Sequence, residues 1–275
     1  MSRKFLVIIG DGMADEPCDS LDGLTPLEAA STPVMDSLAR EGLVGLTHNV
    51  PEGMEPGSDV AIMSILGYDP ASCYTGRGPL EALSMGVTPG PRDTAFRCNL
   101  ITVDGDSLID YSAGHVTSEE SAELIAALQD ELGGPAAKFH HGVSFRNLLL
   151  LEGDFFGVRT HAPHDHMDEP WRDFLPSGPG ADTIVKIIQS SIKILEKHPV
   201  NTARVKAGKS PANACWPWSG GKTPAMEPYD SKYGMKGTVV SAVDLVMGLG
   251  AAAGLEAAQV PGATGLVDTN YEGKV

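Results

Sequence analysis

Residues 5–9, FLVII, form an unbroken apolar run rich in β-branched side chains, and the run ends in Gly10-Asp11-Gly12. A strand buried on both faces has this texture, and a glycine-flanked turn at its carboxyl end is where open α/β sheets hold their ligands. Thr32-Pro33 then opens a helix with Val34, Leu38 and Ala39 on one face, closed by Gly42, and Leu43–Leu46 reads as a second short strand. The strand–loop–helix–strand order predicts an α/β sheet. A glycine at 57 then places Ser58 at the head of another helix, beginning Ser58-Asp59-Val60-Ala61-Ile62-Met63.

The texture changes near residue 92. FRCNLITV (96–103) and SLIDY (107–111) predict a hairpin across Asp104-Gly105-Asp106, and Thr117-Ser118-Glu119-Glu120 is a capping signal for a helix running to Leu132. A second hairpin is expected from 144–151 and 157–160, and a long helix over 181–197. Residues 206–233 are rich in glycine, proline and lysine and read as an irregular connection, with Trp216 and Trp218 as its structural anchors. Helical character resumes over 238–250, and Leu255–Val260 reads as a strand. The implied division is 1–90, 91–233 and 234–275.

Charge and cysteine usage narrow the function. With 20 Lys+Arg against 36 Asp+Glu, the net charge of −16 opposes nucleic-acid binding, which needs a basic face. Cys18, Cys73, Cys98 and Cys215 are scattered and contain no CxxC pair, which fits a reducing cytoplasm better than a disulfide framework or a zinc site. The basic start MSRK precedes only five apolar residues, fewer than the roughly 7–15 of a signal peptide, and no apolar stretch approaches the roughly 20 residues of a membrane span. GxGxxG, GxxxxGK[ST] and GxSxG are all missing.

Ser58 has two readings: a helix N-cap, the common fate of such a serine, or a nucleophile at a helix N-terminus that favours phosphate. Asp11 is either the side chain of an Asx turn or a metal ligand that orients a nucleophile. His161, His164 and His166 with Asp165 and Asp168 crowd one segment, whose prolines and spacing exclude a helical HExxH zinc site. Arg77, Arg97 and Arg146 are candidate anion clamps, since guanidinium forks match phosphate and carboxylate oxygens.

LVIIGDGMAD, TPLEAASTPVMDSLAREG, PGSDVAIMSILGYDP, GRGPLEALSMGV, LEKHPVN and VPGATG, in this order, resemble the archaeal-type branch of the cofactor-independent phosphoglycerate mutases, members of the alkaline phosphatase superfamily. The resemblance implies an alkaline-phosphatase-like α/β core with a parallel sheet, interrupted by an inserted α+β substrate domain. It implies interconversion of 3-phosphoglycerate and 2-phosphoglycerate in glycolysis and gluconeogenesis, through a phosphoserine at Ser58. Two divalent ions, manganese or similar, accompany this chemistry in the family, with Asp11 and Ser58 as ligands. His115, in DYSAGHV, together with Arg146, Asp165 and His166, are the implied substrate-binding residues. The family's remaining ligands, a DxxxH motif and an Asp-His pair in the C-terminal part, have no counterpart after residue 260. The expectation is therefore an incomplete core that retains few or no metal ions and has little or no turnover. The alternatives are a phosphatase or homoserine-kinase-like phosphotransferase of the same superfamily, or a non-catalytic phosphoglycerate-binding module. Oligomeric state is left open.

Overall fold

The computed structural model describes residues 4–275; Met1–Arg3, part of the basic start, lie outside the described residues. One long strand organises it. β1 (Asp93–Asp104) runs antiparallel to β2 (Ser107–Asp110), β4 (Arg146–Glu152) and β5 (Ala214–Gly221), and β3 (Ala137–Val143) completes a five-stranded sheet beside β4. A parallel pair, β6 (Thr238–Val240) with β7 (Glu256–Ala258), lies apart. The chain is thus mixed α/β, with a mostly antiparallel sheet.

Both faces of the five-stranded sheet are covered, and strand alternation divides β4 between them. Leu149 and Leu151 join a core with the buried side chains of the Ser118–Leu132 and Ala181–Leu195 helices, among them Leu124, Leu128, Ile184 and Ile188. Leu148 and Leu150 face the other way, onto Ala82 of the Arg77–Ser84 helix. That helix lies so close that a Cβ on Gly78 would sit 2.1 Å from the Ala95 carbonyl oxygen of β1. A third cluster joins Ile62 and Met63 to Leu80, Leu245 and Leu249.

Several expectations hold. The first hairpin is β1–β2, and the helix after Thr117 carries a complete capping box with Glu120. Others need correction. The second hairpin is β3–β4, and 157–160 forms only an isolated bridge, Arg159 to Ser177. The stretch read as an irregular connection contains β5, which takes one edge of β1, because Cys215 and Trp216 bury against it despite the surrounding glycines and prolines.

The two strands expected at 5–9 and 43–46 are not strands. Phe5, Leu6, Val7 and Ile8 are 64–84% exposed, and Leu43 and Leu46 are fully exposed. β-propensity describes fit to a pleated, half-buried surface, and these segments have no ladder partner among the described residues. The parallel sheet of the expected core is represented by β6–β7 alone among the described residues.

The loop after β2 is braced from two sides. Ala113, Gly114 and His115 all have positive φ (52°, 62° and 49°), a costly run for two residues with a Cβ. Asp110 accepts hydrogen bonds from the N–H and hydroxyl of Ser112 and from the N–H of Gly114, each at 2.7 Å. Buried Arg204 donates to the Ala113 carbonyl at 2.7 Å and pairs with Glu120.

Partial burial raises the Asp110 pKa, but Ser112, Gly114 and the His115 charge together outweigh it and hold the carboxyl below its ordinary value. A lowered native pKa contributes stability above the unfolded value of about 4, and this contribution is lost as pH falls through the native value. Asp110→Asn is accordingly expected to lower the melting temperature at pH 7 and to make little difference near pH 2. Leu149→Ala, at a fully buried position, is expected to cost about 2–5 kcal/mol in urea denaturation.

Candidate active site

Asp11 and Ser58 are brought together across 47 residues: the Ser58 hydroxyl donates to Asp11 Oδ2 at 2.7 Å. Gly57 is the N-cap of the Ser58–Ile65 helix and Ser58 its first residue, with no side-chain cap bond. The hydroxyl is therefore committed to a distant carboxylate, which rules out the capping reading.

The next residue starts a second network. Asp59 is buried, and its Oδ2 accepts from the Tyr74 hydroxyl at 2.5 Å and from Arg77 Nε at 3.1 Å. Burial first, then the bond to Asp59, pushes the Tyr74 phenol well above its ordinary range, so it stays a donor. A cleft of about 540 Å³ opens here. Pro56, Asp59, Tyr74 and Arg77 form one side, and Thr160, His164, Asp165, Trp218 and Ser219 form the other. The sides are joined by backbone donors: the Arg77 N–H donates to Ser219 Oγ, and the Ser219 N–H to Thr160 Oγ1, both at 3.0 Å. The loop of residues 160–166 is held by Trp216, whose indole donates to the His161 carbonyl at 2.8 Å.

A chain of ring contacts runs from the cleft to the braced loop. His164 meets Trp218 and Tyr111 edge-on, with centroids 5.4 and 5.9 Å apart, and Tyr111 meets Phe145 at 5.6 Å. His115 lies 6.5 Å from the Phe145 ring, and the Arg146 guanidinium lies 5.0 Å above it. His115 and Arg146 therefore converge on one phenylalanine. Asp165 lines the cleft, whereas His166 stacks on Phe174 with centroids 3.6 Å apart, outside the cleft lining.

Arg97 stacks 4.5 Å from the Trp218 centroid and lies 3.1 Å from Glu81, an ion pair without hydrogen-bond alignment. Burial lowers the Arg97 pKa, Glu81 counteracts this, and Arg77 and Arg146 lower it further. The three arginines thus share one neighbourhood in an acidic chain. Sequence reasoning passed over Asp59, Tyr74, Thr160 and Ser219, and named His164 only within the histidine-rich segment. The available signals were an acidic residue directly after the serine and a tyrosine three before Arg77.

Asp11 and Ser58 supply two oxygen donors. Among the described residues, no three His, Cys, Asp or Glu side chains form a group that could hold a metal ion. A divalent ion takes about four to six ligands, so these residues do not by themselves fit the two-ion centre implied by the resemblance.

A family model described as 2,3-bisphosphoglycerate-independent phosphoglycerate mutase matches residues 39–201. A protein of that name from Methanosarcina acetivorans is 50% identical over 98% of this chain, which spans 68% of the relative's length. The cofactor-independent phosphoglycerate mutase of Thermoplasma acidophilum superposes with a TM-score of 0.57 at 32% identity, over 96% of this chain and 70% of that one. A Pyrococcus horikoshii protein superposes with a TM-score of 0.74 at 31% identity, over 94% of this chain and 62% of that one. The phosphatase, homoserine-kinase-like and non-catalytic readings find no support among these relatives. On sequence and fold together, the chain belongs to the 2,3-bisphosphoglycerate-independent phosphoglycerate mutases, a family of isomerases.

Proposed function

We propose that, against the expectation of little or no turnover, the chain interconverts 3-phosphoglycerate and 2-phosphoglycerate through a phosphoserine at Ser58, a step of glycolysis and gluconeogenesis. The observation that carries this reading is the hydrogen bond from the Ser58 hydroxyl to Asp11, beside a cleft lined by Arg77. Ser58 Oγ attacks the phosphorus of 3-phosphoglycerate, and the bond from phosphorus to the C3 oxygen breaks. Asp11 accepts the serine proton, and the departing C3 oxygen takes a proton from the side of the cleft that carries Asp165 and His164. Glycerate then turns within the cleft. Its C2 hydroxyl attacks the phosphoserine and returns its proton to the side that carries Asp165 and His164, the bond from phosphorus to Ser58 Oγ breaks, and Ser58 recovers its proton from Asp11.

His115 and Arg146, both beside Phe145, hold the glycerate carboxylate, and Asp165 and His166 belong to the loop that contacts the substrate. The charge of −16 does not by itself oppose an anionic substrate, because Arg77 lines the cleft and Arg97 and Arg146 share its neighbourhood. The inserted substrate unit, 91–233, centres on the five-stranded sheet. Manganese or similar ions, as in the family, require ligands beyond Asp11 and Ser58. Four free thiols, Cys98 and Cys215 among them unbridged although they lie side by side in the core, favour a cytoplasmic location, and no helix among the described residues is long and apolar enough to cross a membrane.

The test is turnover of 3-phosphoglycerate by the purified chain with added manganese, beside Ser58→Ala. Turnover that falls by about 10³-fold or more in the variant, with a phosphoserine mass shift in the wild type alone, supports the reading. Turnover unchanged by the substitution, or none in the wild type, overturns it.

A further inference from the structure

The Asp59–Tyr74–Arg77 network lies one residue from Ser58, yet the transfer as written gives it no part. A buried aspartate bonded to both a tyrosine and an arginine costs desolvation that packing alone does not require. The arrangement also restricts the chain beside the nucleophile: a Cβ on Gly57 would lie 2.3 Å from Asp59 Oδ1 and 3.2 Å from Arg77 Nη2. The guanidinium therefore reaches the residue directly before Ser58. Nε of the Arg77 side chain donates to Asp59, and the guanidinium also meets the Tyr74 hydroxyl. The remaining N–H groups belong to a side chain that lines the cleft and is 31% exposed, against 2% for Asp59. Its backbone is fixed as well, through Ser219, itself held at φ 49°.

We infer that Arg77 binds the phosphoryl group at Ser58, and that Asp59 and Tyr74 are positioning residues that hold the guanidinium for it. A fork fixed at Nε presents its free N–H groups in one plane, the geometry that matches two phosphate oxygens. This deepens the mutase reading and rests on it for the identity of the phosphate ester.

The test is calorimetric titration of the full chain with inorganic phosphate, 3-phosphoglycerate and glycerate, beside Arg77→Met, Arg77→Lys and the double variant Asp59→Asn, Arg77→Met. The double variant removes both charges, so a fold lost to an unpaired buried aspartate in the single variant does not hide the result. The expected outcome is phosphate and 3-phosphoglycerate binding weakened by about tenfold or more in both methionine variants, partial recovery with lysine, and glycerate binding unchanged. Equal weakening of glycerate and phosphate, or no weakening of either, overturns the assignment, as does a wild-type chain that binds neither phosphate nor 3-phosphoglycerate. Arginine-dependent phosphate binding without turnover defeats the mutase reading and leaves this one standing. Turnover indifferent to Arg77→Met does the reverse.

Discussion

The two-edged pairing of β1 is the constraint on which the rest of the molecule hangs. One edge is taken by β5 along 95–101 and the other by β4 along 93–99, while the last residues turn into β2. A strand paired on both edges and covered on both faces has its backbone polar groups satisfied and its apolar side chains out of water, the two conditions a buried segment must meet together. From that frame the functional parts project in fixed directions. Arg97 leaves β1 toward Trp218 of β5, Arg146 opens β4, and the braced loop with His115 follows β2.

How much of this was legible depended on how local the cause was. The capping box at Thr117 and Glu120 is a short-range signal, and the helix it announces runs as far as expected. The β1–β2 hairpin was equally clear, because its turn chemistry, Asp104-Gly105-Asp106, sits between two largely apolar runs. β5 was hidden because ACWPWSGG has the composition of a loop, and only the waiting edge of β1 makes it a strand. Phe5–Ile9 failed in the opposite sense. Its composition is ideal for a strand, yet pairing is a property of two segments and cannot be read from one. Ser58 and Asp11 were legible as candidates, but the bond between residues 47 apart was not. The Asp59 network was missed for a related reason, since a buried acid next to a serine is visible only once Tyr74 and Arg77 fold over it.

Electrostatics bind the cleft to the sheet. Burial raises the Glu81 pKa, opposed first by Arg97, and the pairing spares both side chains an unpaired burial. Arg77 is served by Asp59 in the same way. Arg77 and Arg97 thus each carry a counter-charge from the protein side. Phosphate recognition in an acidic protein calls for this separation of local from net charge.

The close approach of Gly78 to the Ala95 carbonyl has a mechanical consequence. With no side chain between them, the helix that begins at Arg77 cannot slide over β1, and the Arg77 N–H is also tied to Ser219 of β5. Arg77 and Arg97 therefore behave as two teeth of one immobile jaw whose spacing is set by backbone contact. A ligand that has to turn over between leaving and reclaiming a phosphoryl group would rotate against a stationary frame.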